Sequence, residues 1–198
     1  MMKIDSLTVG KVQTNCYIVY NEGAGEAIII DPGAEAERIK AALDGKRPAA
    51  ILLTHGHFDH TGALEDFDGV PIYIHPSDDV MLADSVWSAG AMLGDTASRP
   101  PATDYVQEGT KLHLAGLDIS VMHTPGHTLG SVTYAVGDAL FTGDTMFCGG
   151  YGRTDLPGGD KDELFRSLRR LLRLDKNWIV CPGHGGPTTL DEEKEKYV

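Results

Sequence analysis

Short apolar runs, each closed by turn residues, organise the first third of the chain. NCYIVY (15–20) and EAIIID (26–31) read as strands, with a turn at Asn21-Glu22-Gly23 between them. Asp31-Pro32-Gly33 closes the second strand, and EAERIKAALDG (35–45) follows as a short helix. Its apolar residues Ala36, Ile39, Ala42 and Leu43 recur at helical spacing, and Gly45 stands at the C-terminal stop. AAILLT (49–54) is a continuous apolar run, which suits a strand buried on both faces. VPIYIH (70–75) reads as another strand. Residues 77–104 follow neither period; Met81, Trp87, Met92 and the breaker Arg99-Pro100-Pro101 predict a partly helical surface excursion, expected as an ordinary packed connection rather than the flank of a pocket.

The strand pattern resumes with KLHL (111–114), LDISVMH (117–123), SVTYAV (131–136) and ALFTGD (139–144). A glycine-rich loop, GGYGRTDLPGGD (149–160), leads to the clearest helix, which starts after Asp160. Asp160 and Glu163 form a capping pattern. Leu164, Phe165, Leu168, Leu171 and Leu172 make one apolar stripe, and Arg169, Arg170 and Arg173 sit toward the negative end of the helix dipole. NWIVCP (177–182) is a last buried strand, ending in Gly183-His184-Gly185-Gly186. Strands mixed with helices, and no internal repeat, describe a layered α/β protein.

With 198 residues the chain is long enough for one well-buried core and short for two, so one domain spanning 1–198 is expected. The net charge of −12 argues against nucleic-acid binding, which needs a basic patch, and against docking on anionic lipid. MMKIDSLTVG at the start lacks the apolar stretch of a signal peptide, and no segment approaches the ~20 apolar residues needed to cross a bilayer. The expectation is a cytoplasmic protein. Cys16, Cys148 and Cys181 are far apart without C-x-x-C spacing, which suits a reducing compartment. Cys16 and Cys181 read as buried small hydrophobes.

The chemistry gathers at strand ends. Of eight histidines, three stand in LLTHGHFDHTG (52–62) with an aspartate among them. His55, His57, Asp59 and His60 follow AAILLT; His127 follows LDISVMH; Asp144 follows ALFTG; His184 follows NWIVCP. In α/β sheets, loops at the carboxyl ends of strands converge on one crevice, so four distant loops can deliver seven ligands to one place. Imidazole and carboxylate suit zinc, iron or nickel. Five histidines and two carboxylates exceed what one tetrahedral ion uses, whereas two ions sharing a bridging carboxylate use about this number. Glycines beside the ligands (Gly56, Gly126, Gly143, Gly183 and Gly185) leave the backbone room to turn. His75, His113 and His123 lie in or beside strands and read as structural, with His123 a candidate support for the ligands.

At this point the chain resembles the metallo-β-lactamase superfamily. His55-Gly56-His57-Phe58-Asp59-His60 matches H-x-H-x-D-H, followed by PGHT (125–128), TGD (142–144) and PGHG (182–185), with DPG at 31–33. The resemblance implies an αββα sandwich with the site on one edge of the two sheets. It assigns His55, His57 and His127 to a first metal, Asp59, His60 and His184 to a second, and Asp144 to the bridge. The two ions are expected to be zinc, with iron or manganese as alternatives, and Asp31 is expected to brace the histidine loop.

Within that superfamily, GDTMFCGGYGRTDLPGGD (143–160) is similar to the short glyoxalase II-like hydrolases. This implies hydrolysis of a small-molecule thioester, such as an S-acylglutathione, by a hydroxide held between the metals, with Asp59 and Asp144 at the catalytic centre. The enzyme is expected as a monomer or homodimer. The helical C-terminal domain that contributes glutathione contacts in full-length glyoxalase II is expected to be absent, since PGHG lies close to Val198. Tyr151, Arg153 and Cys148 follow Asp144 closely and are candidates to line the pocket; Arg153 suits either a substrate carboxylate or a structural salt bridge. The runner-up is the persulfide dioxygenases, which share the motifs and a GRTD stretch but use one iron and oxygen. Flavodiiron proteins carry glutamate where His57 stands, nucleic-acid-processing members carry large extra domains, and β-lactamases usually lack an aspartate at the position of Asp144. A non-catalytic metal-binding module is disfavoured because degenerate members lose ligands and this chain keeps seven.

Overall fold

Alternation along the strands sorts the apolar side chains into three layers of core. The computed structural model describes residues 1–196. The first half of the chain builds one six-stranded sheet. In it β1 (Met2–Val9), β2 (Thr14–Asn21) and β3 (Glu26–Ile30) are antiparallel neighbours. Helix α1 (Ala36–Ala42) then carries the chain across to β4 (Arg47–Leu52), which runs parallel to β3. Beyond the single-turn helix α2 (Phe58–Thr61), β5 (Ile72–Ile74) joins in parallel; beyond another, α3 (Val80–Ala83), so does β6 (Asp104–Tyr105).

The second half repeats the plan. β7 (Lys111–Leu114), β8 (Leu117–His123), β9 (Val132–Val136) and β10 (Ala139–Gly143) form an antiparallel meander. Helix α4 (Lys161–Leu172) then crosses to β11 (Ile179–Pro182), parallel to β10; β12 (Thr188–Thr189) and α5 (Leu190–Lys196) follow.

Period-two alternation decides what each side chain buries. In β3, Ile28 and Ile30 face the other sheet, where they meet Tyr134, Val136 and Phe141. Ala27 and Ile29 point the opposite way, onto Ile39 and Leu43 from the α1 segment. In the second sheet Leu140 and Val180 turn outward onto Leu164, Leu168 and Leu171 of α4. The layers therefore run helix, sheet, sheet, helix, the αββα sandwich expected from the resemblance. Fully burying a leucine or isoleucine side chain contributes roughly 1.5–3 kcal/mol, so these three layers dominate stability.

Helix α4 begins where its cap requires. Asp160 Oδ1 accepts from Glu163 N–H at 2.9 Å, a cap worth about 1 kcal/mol. Arg170 does more than complement the helix dipole: it grips both Glu108 carboxylate oxygens at 2.8 and 2.6 Å and so ties α4 to the approach to β7. Cys16 and Cys181 are buried free thiols. No described helix is long and apolar enough to cross a membrane.

Three strands escape the hydrophobic pattern. β1 is paired on one side only, and Lys3, Asp5 and Ser6 dilute its apolar signal. β6 and β12 have two residues each, too few to show a period. The run 49–54 is strand only as far as Leu52; Leu53 and Thr54 already turn toward the histidine loop.

Candidate metal centre

The ligand-type residues stand just past β4, β8, β10 and β11, and the structure brings all seven to one edge of the sandwich. Three overlapping groups have donor atoms within 4.8 Å of one another: His55, His57 and His127; His55, His60 and Asp144; and Asp59, His60 and His184. His57 Nδ1 lies 2.9 Å from His127 Nε2. Asp144 reaches both ends of the cluster, with Oδ2 at 3.5 Å from His127 Nε2 and from His184 Nε2, and Oδ1 at 3.4 Å from His60 Nε2. Asp59 Oδ2 lies 3.3 Å from His184 Nε2 and 3.5 Å from His60 Nε2.

Three of the imidazoles, those of His55, His60 and His127, are aimed from behind. His60 Nδ1 meets Asp31 Oδ2 at 2.9 Å, and Asp31 also accepts from the Thr54 amide at 2.8 Å and its hydroxyl at 2.6 Å. That hydroxyl in turn lies 3.0 Å from His55 Nδ1. His127 Nδ1–H donates to the Arg153 carbonyl at 2.8 Å, which leaves its Nε2 facing the cluster. Thr14 Oγ1 donates to Asp59 Oδ2 at 2.9 Å. Asp31 therefore sits where the sequence reading puts it, behind the histidine loop.

Neutral imidazoles and ionised carboxylates face one another across the cluster. Burial, reinforced by His60 and the other imidazoles, holds His55 far below the ordinary histidine range, and burial beside His127 takes His57 down to about 3. Both are neutral, with lone pairs to give. Burial alone would raise Asp144, but His60, His127 and His184 together outweigh it and bring the carboxyl down to about 2; Asp59 is held low in the same way by His60, His184 and Thr14. Nε2 of His55 and of His57 are buried without any hydrogen-bond partner, as are His60 Nε2 and Asp144 Oδ1. Unpaired buried donors and acceptors cost about 1–3 kcal/mol each, so their convergence fits bound divalent metal.

Gly183 shows how tightly the site is packed. A Cβ there would stand 2.1 Å from Asp144 Oδ1 and 2.8 Å from His60 Cε1. Only glycine fits.

A cleft of about 420 Å³ opens over the cluster. Besides His57, Asp59, His127, Asp144 and His184, it is walled by Val12, Phe58, Ala89, Met92, Leu93, Phe147, Gly152, Arg153 and Leu156. Two of the expected lining residues lie elsewhere. Tyr151 packs edge-on against Phe165 of α4, with ring centroids 5.1 Å apart. Cys148 is exposed, with Sγ 3.7 Å from Lys196 Nζ. The cause is a tight turn, in which Phe147 N–H donates to Gly150 O at 2.8 Å; Phe147 reaches the cleft and Cys148 sits outside it. Arg153 does line the cleft, but Asp155 accepts two bonds from its guanidinium, both 2.7 Å, so of the two roles the structure favours the salt bridge.

Asp78 is the contributor that sequence reasoning missed. Buried, it accepts from Gly56 N–H at 3.2 Å, Thr128 Oγ1 at 2.6 Å and Gly130 N–H at 2.6 Å, and so joins the His55–His60 loop to the His127 loop. Its only sequence signal is the Pro76-Ser77-Asp78 helix start, which says nothing of partners so far along the chain.

His123 supports the same loop, since its Nε2 lies 2.9 Å from Leu129 O while its ring stacks on His75 at 4.4 Å. Burial, then His123, pushes His75 down to about 4 from 6.5, and its Nδ1 accepts from Ser77 N–H at 3.2 Å. Between pH 6.5 and 4 the unfolded chain therefore binds the extra proton, and stability falls as pH drops through that window. His75→Asn, which keeps an acceptor for Ser77, is expected to flatten this part of the pH profile. Urea midpoints of both proteins from pH 7 to 4.5 check it; equal slopes would remove His75 from the account.

A family model described as the metallo-beta-lactamase superfamily matches residues 9–184. The chain belongs to the metallo-β-lactamase superfamily. Members are largely hydrolytic enzymes that bind divalent metals. A relative named hydroxyacylglutathione hydrolase GloC, from Haemophilus influenzae, is 37% identical over 98% of this chain and 95% of its own. The solved structure of BLEG-1 B3 metallo-beta-lactamase superposes with a TM-score of 0.92 at 37% identity, covering 98% of this chain and 97% of that one. TTHA1623 in a di-iron-bound form gives 0.86 at 39% identity, covering 97% and 98%.

Proposed function

We propose that this superfamily member is a dinuclear metallohydrolase that cleaves thioesters, of the S-acylglutathione kind or similar. The likeness to a hydroxyacylglutathione hydrolase supports the class of substrate, and the likeness to a di-iron protein supports two ions. The observation that carries the choice of thioester is the cleft wall. Apart from the ligand set, its only ionisable side chain among the described residues is Arg153, already paired with Asp155, so none of these is placed to protonate a poor leaving group. A thiol with a pKa of about 8.5 leaves as thiolate without such help, whereas an amine released from an amide or lactam needs a proton.

His55, His57 and His127 would hold one ion and Asp59, His60 and His184 the other, with Asp144 between them. Such ions, taken as zinc with iron as the alternative, would supply Lewis acidity for the carbonyl oxygen and lower the pKa of water to about 7. The chain supplies the geometry. Asp31 and Thr54 fix the tautomers of His60 and His55, the Arg153 carbonyl fixes that of His127, and Thr14 orients the Asp59 carboxylate. Phe58, Ala89, Met92 and Leu93 give the cleft an apolar wall.

Metal content of protein purified without added metal is expected to be two ions per chain. The zinc-loaded protein should cleave S-lactoylglutathione or a simpler thioester equally well in air and under argon, and a chromogenic cephalosporin far more slowly. Glutathione persulfide should drive no oxygen uptake. A single iron, oxygen consumption with the persulfide and no thioester cleavage in any metal form would make the protein a dioxygenase instead.

A further inference from the structure

At the mouth of the cleft, a short helical turn (Gly90–Leu93) holds two neighbouring large apolar side chains out to solvent: Met92 is 67% exposed and Leu93 66%. Among the described large hydrophobic residues only Met1 is more exposed. Both line the cleft, together with Ala89 and Phe58. Scattered exposed hydrophobes are ordinary, but a contiguous apolar surface opening on a polar site marks a binding wall.

The wall is fixed to the metal loop rather than hanging free. Phe58 N–H donates to Ser88 O at 3.0 Å, and Asp95 N–H donates to Gly90 O at 3.0 Å. A Cβ on Gly90 would lie 2.4 Å from Asp95 O and 3.2 Å from Phe58 Cβ, so the turn packs directly on α2, which carries Asp59 and His60. Anything lying on Met92 and Leu93 is thereby set at a fixed distance from the ligand cluster.

The same region offers little to an anionic carrier. Arg153 is committed to Asp155, and among the residues lining the groove that adjoins the cleft beyond Leu93 two carboxylates, Asp59 and Asp95, stand to one lysine, Lys11. The chain as a whole carries −12. We infer that the substrate is recognised chiefly through an apolar acyl chain several carbons long, lying along Met92 and Leu93, and that the thiol carrier is not read through its carboxylates. This rests on the thioesterase reading for the position of the scissile bond.

Burying one methylene fully is worth about fourfold in affinity, and an open wall that covers one side of the chain gives about the square root of that, about twofold. The test uses two matched series on the neutral carrier N-acetylcysteamine and the metal-loaded protein. Acetyl, butyryl and hexanoyl thioesters report kcat/KM; the ethyl, butyl and hexyl thioethers, which cannot be hydrolysed, report Kd by calorimetry. Both are expected to improve by about 15-fold from two carbons to six. In Met92→Ser/Leu93→Ser, whose changes are on exposed side chains, that gain should shrink to about twofold or less while metal content stays the same. Thioether affinity that does not change with chain length, or a gain that survives in the double variant, overturns the inference. Chain-length-dependent binding without cleavage of any thioester leaves the apolar wall standing and removes the thioesterase reading instead.

Discussion

Asp144→Ala is expected to abolish thioester turnover, by at least about a thousandfold, and to empty at least one metal position in the same preparation. Its carboxylate reaches both ends of the cluster, within 3.4–3.5 Å of His60, His127 and His184, whereas Asp59 meets only His60 and His184. Two divalent ions repel four times as strongly as unit charges at the same separation, and the shared carboxylate is what offsets that repulsion. Without it, both sites lose a ligand and the neutralising charge. Metal analysis after gel filtration, with circular dichroism to establish folding, reads the result. A variant that keeps two ions and a near-normal rate would remove Asp144 from the bridge.

The ligand cluster was legible in the sequence for a physical reason: each group directly follows an apolar run long enough to identify as a strand, and parallel strands bring their carboxyl ends to one edge. Four such runs end in His55–His60, His127, Asp144 and His184; His75 also follows a strand, but it stands alone before Pro76 with no second ligand-type residue beside it. The substrate wall was not legible. Met92 and Leu93 belong to a segment built from single turns, in which three or four residues cannot display a period, and Asp78 acts through partners that only the packing of the two halves brings near. Tyr151 and Cys148 show the converse error. Nearness to Asp144 along the chain fixes distance but not direction, and the bridged turn from Phe147 to Gly150 sends the two side chains outward. Arg153 was placed correctly at the cleft, yet its bond to the site runs through the backbone carbonyl, which residue type does not reveal.

The second large effect is expected at a residue outside the proposed ligand set, in Asp78→Ala. Removing this carboxylate strands the amides of Gly56 and Gly130 and takes one partner from the Thr128 hydroxyl, which keeps Ser131 at 2.6 Å. Unsatisfied buried donors cost about 1–3 kcal/mol each, so a loss of about 3–5 kcal/mol in stability is expected. Gly56 lies between His55 and His57, and Thr128 follows His127, so the same change loosens all three imidazoles of one group. Support of this kind is worth about 10- to 100-fold in metal affinity. Asp78→Asn is the sharper test because it preserves volume while turning one acceptor oxygen into a donor that faces an N–H or hydroxyl donor. Zinc affinity is measured by competition with a chromophoric chelator at a temperature where wild type and variant are both folded, and unfolding in urea is measured separately. A fall in both quantities is expected. A stability loss with zinc affinity changed by less than about threefold would make Asp78 a fold residue alone, because the two loops would then hold their imidazoles in register without it.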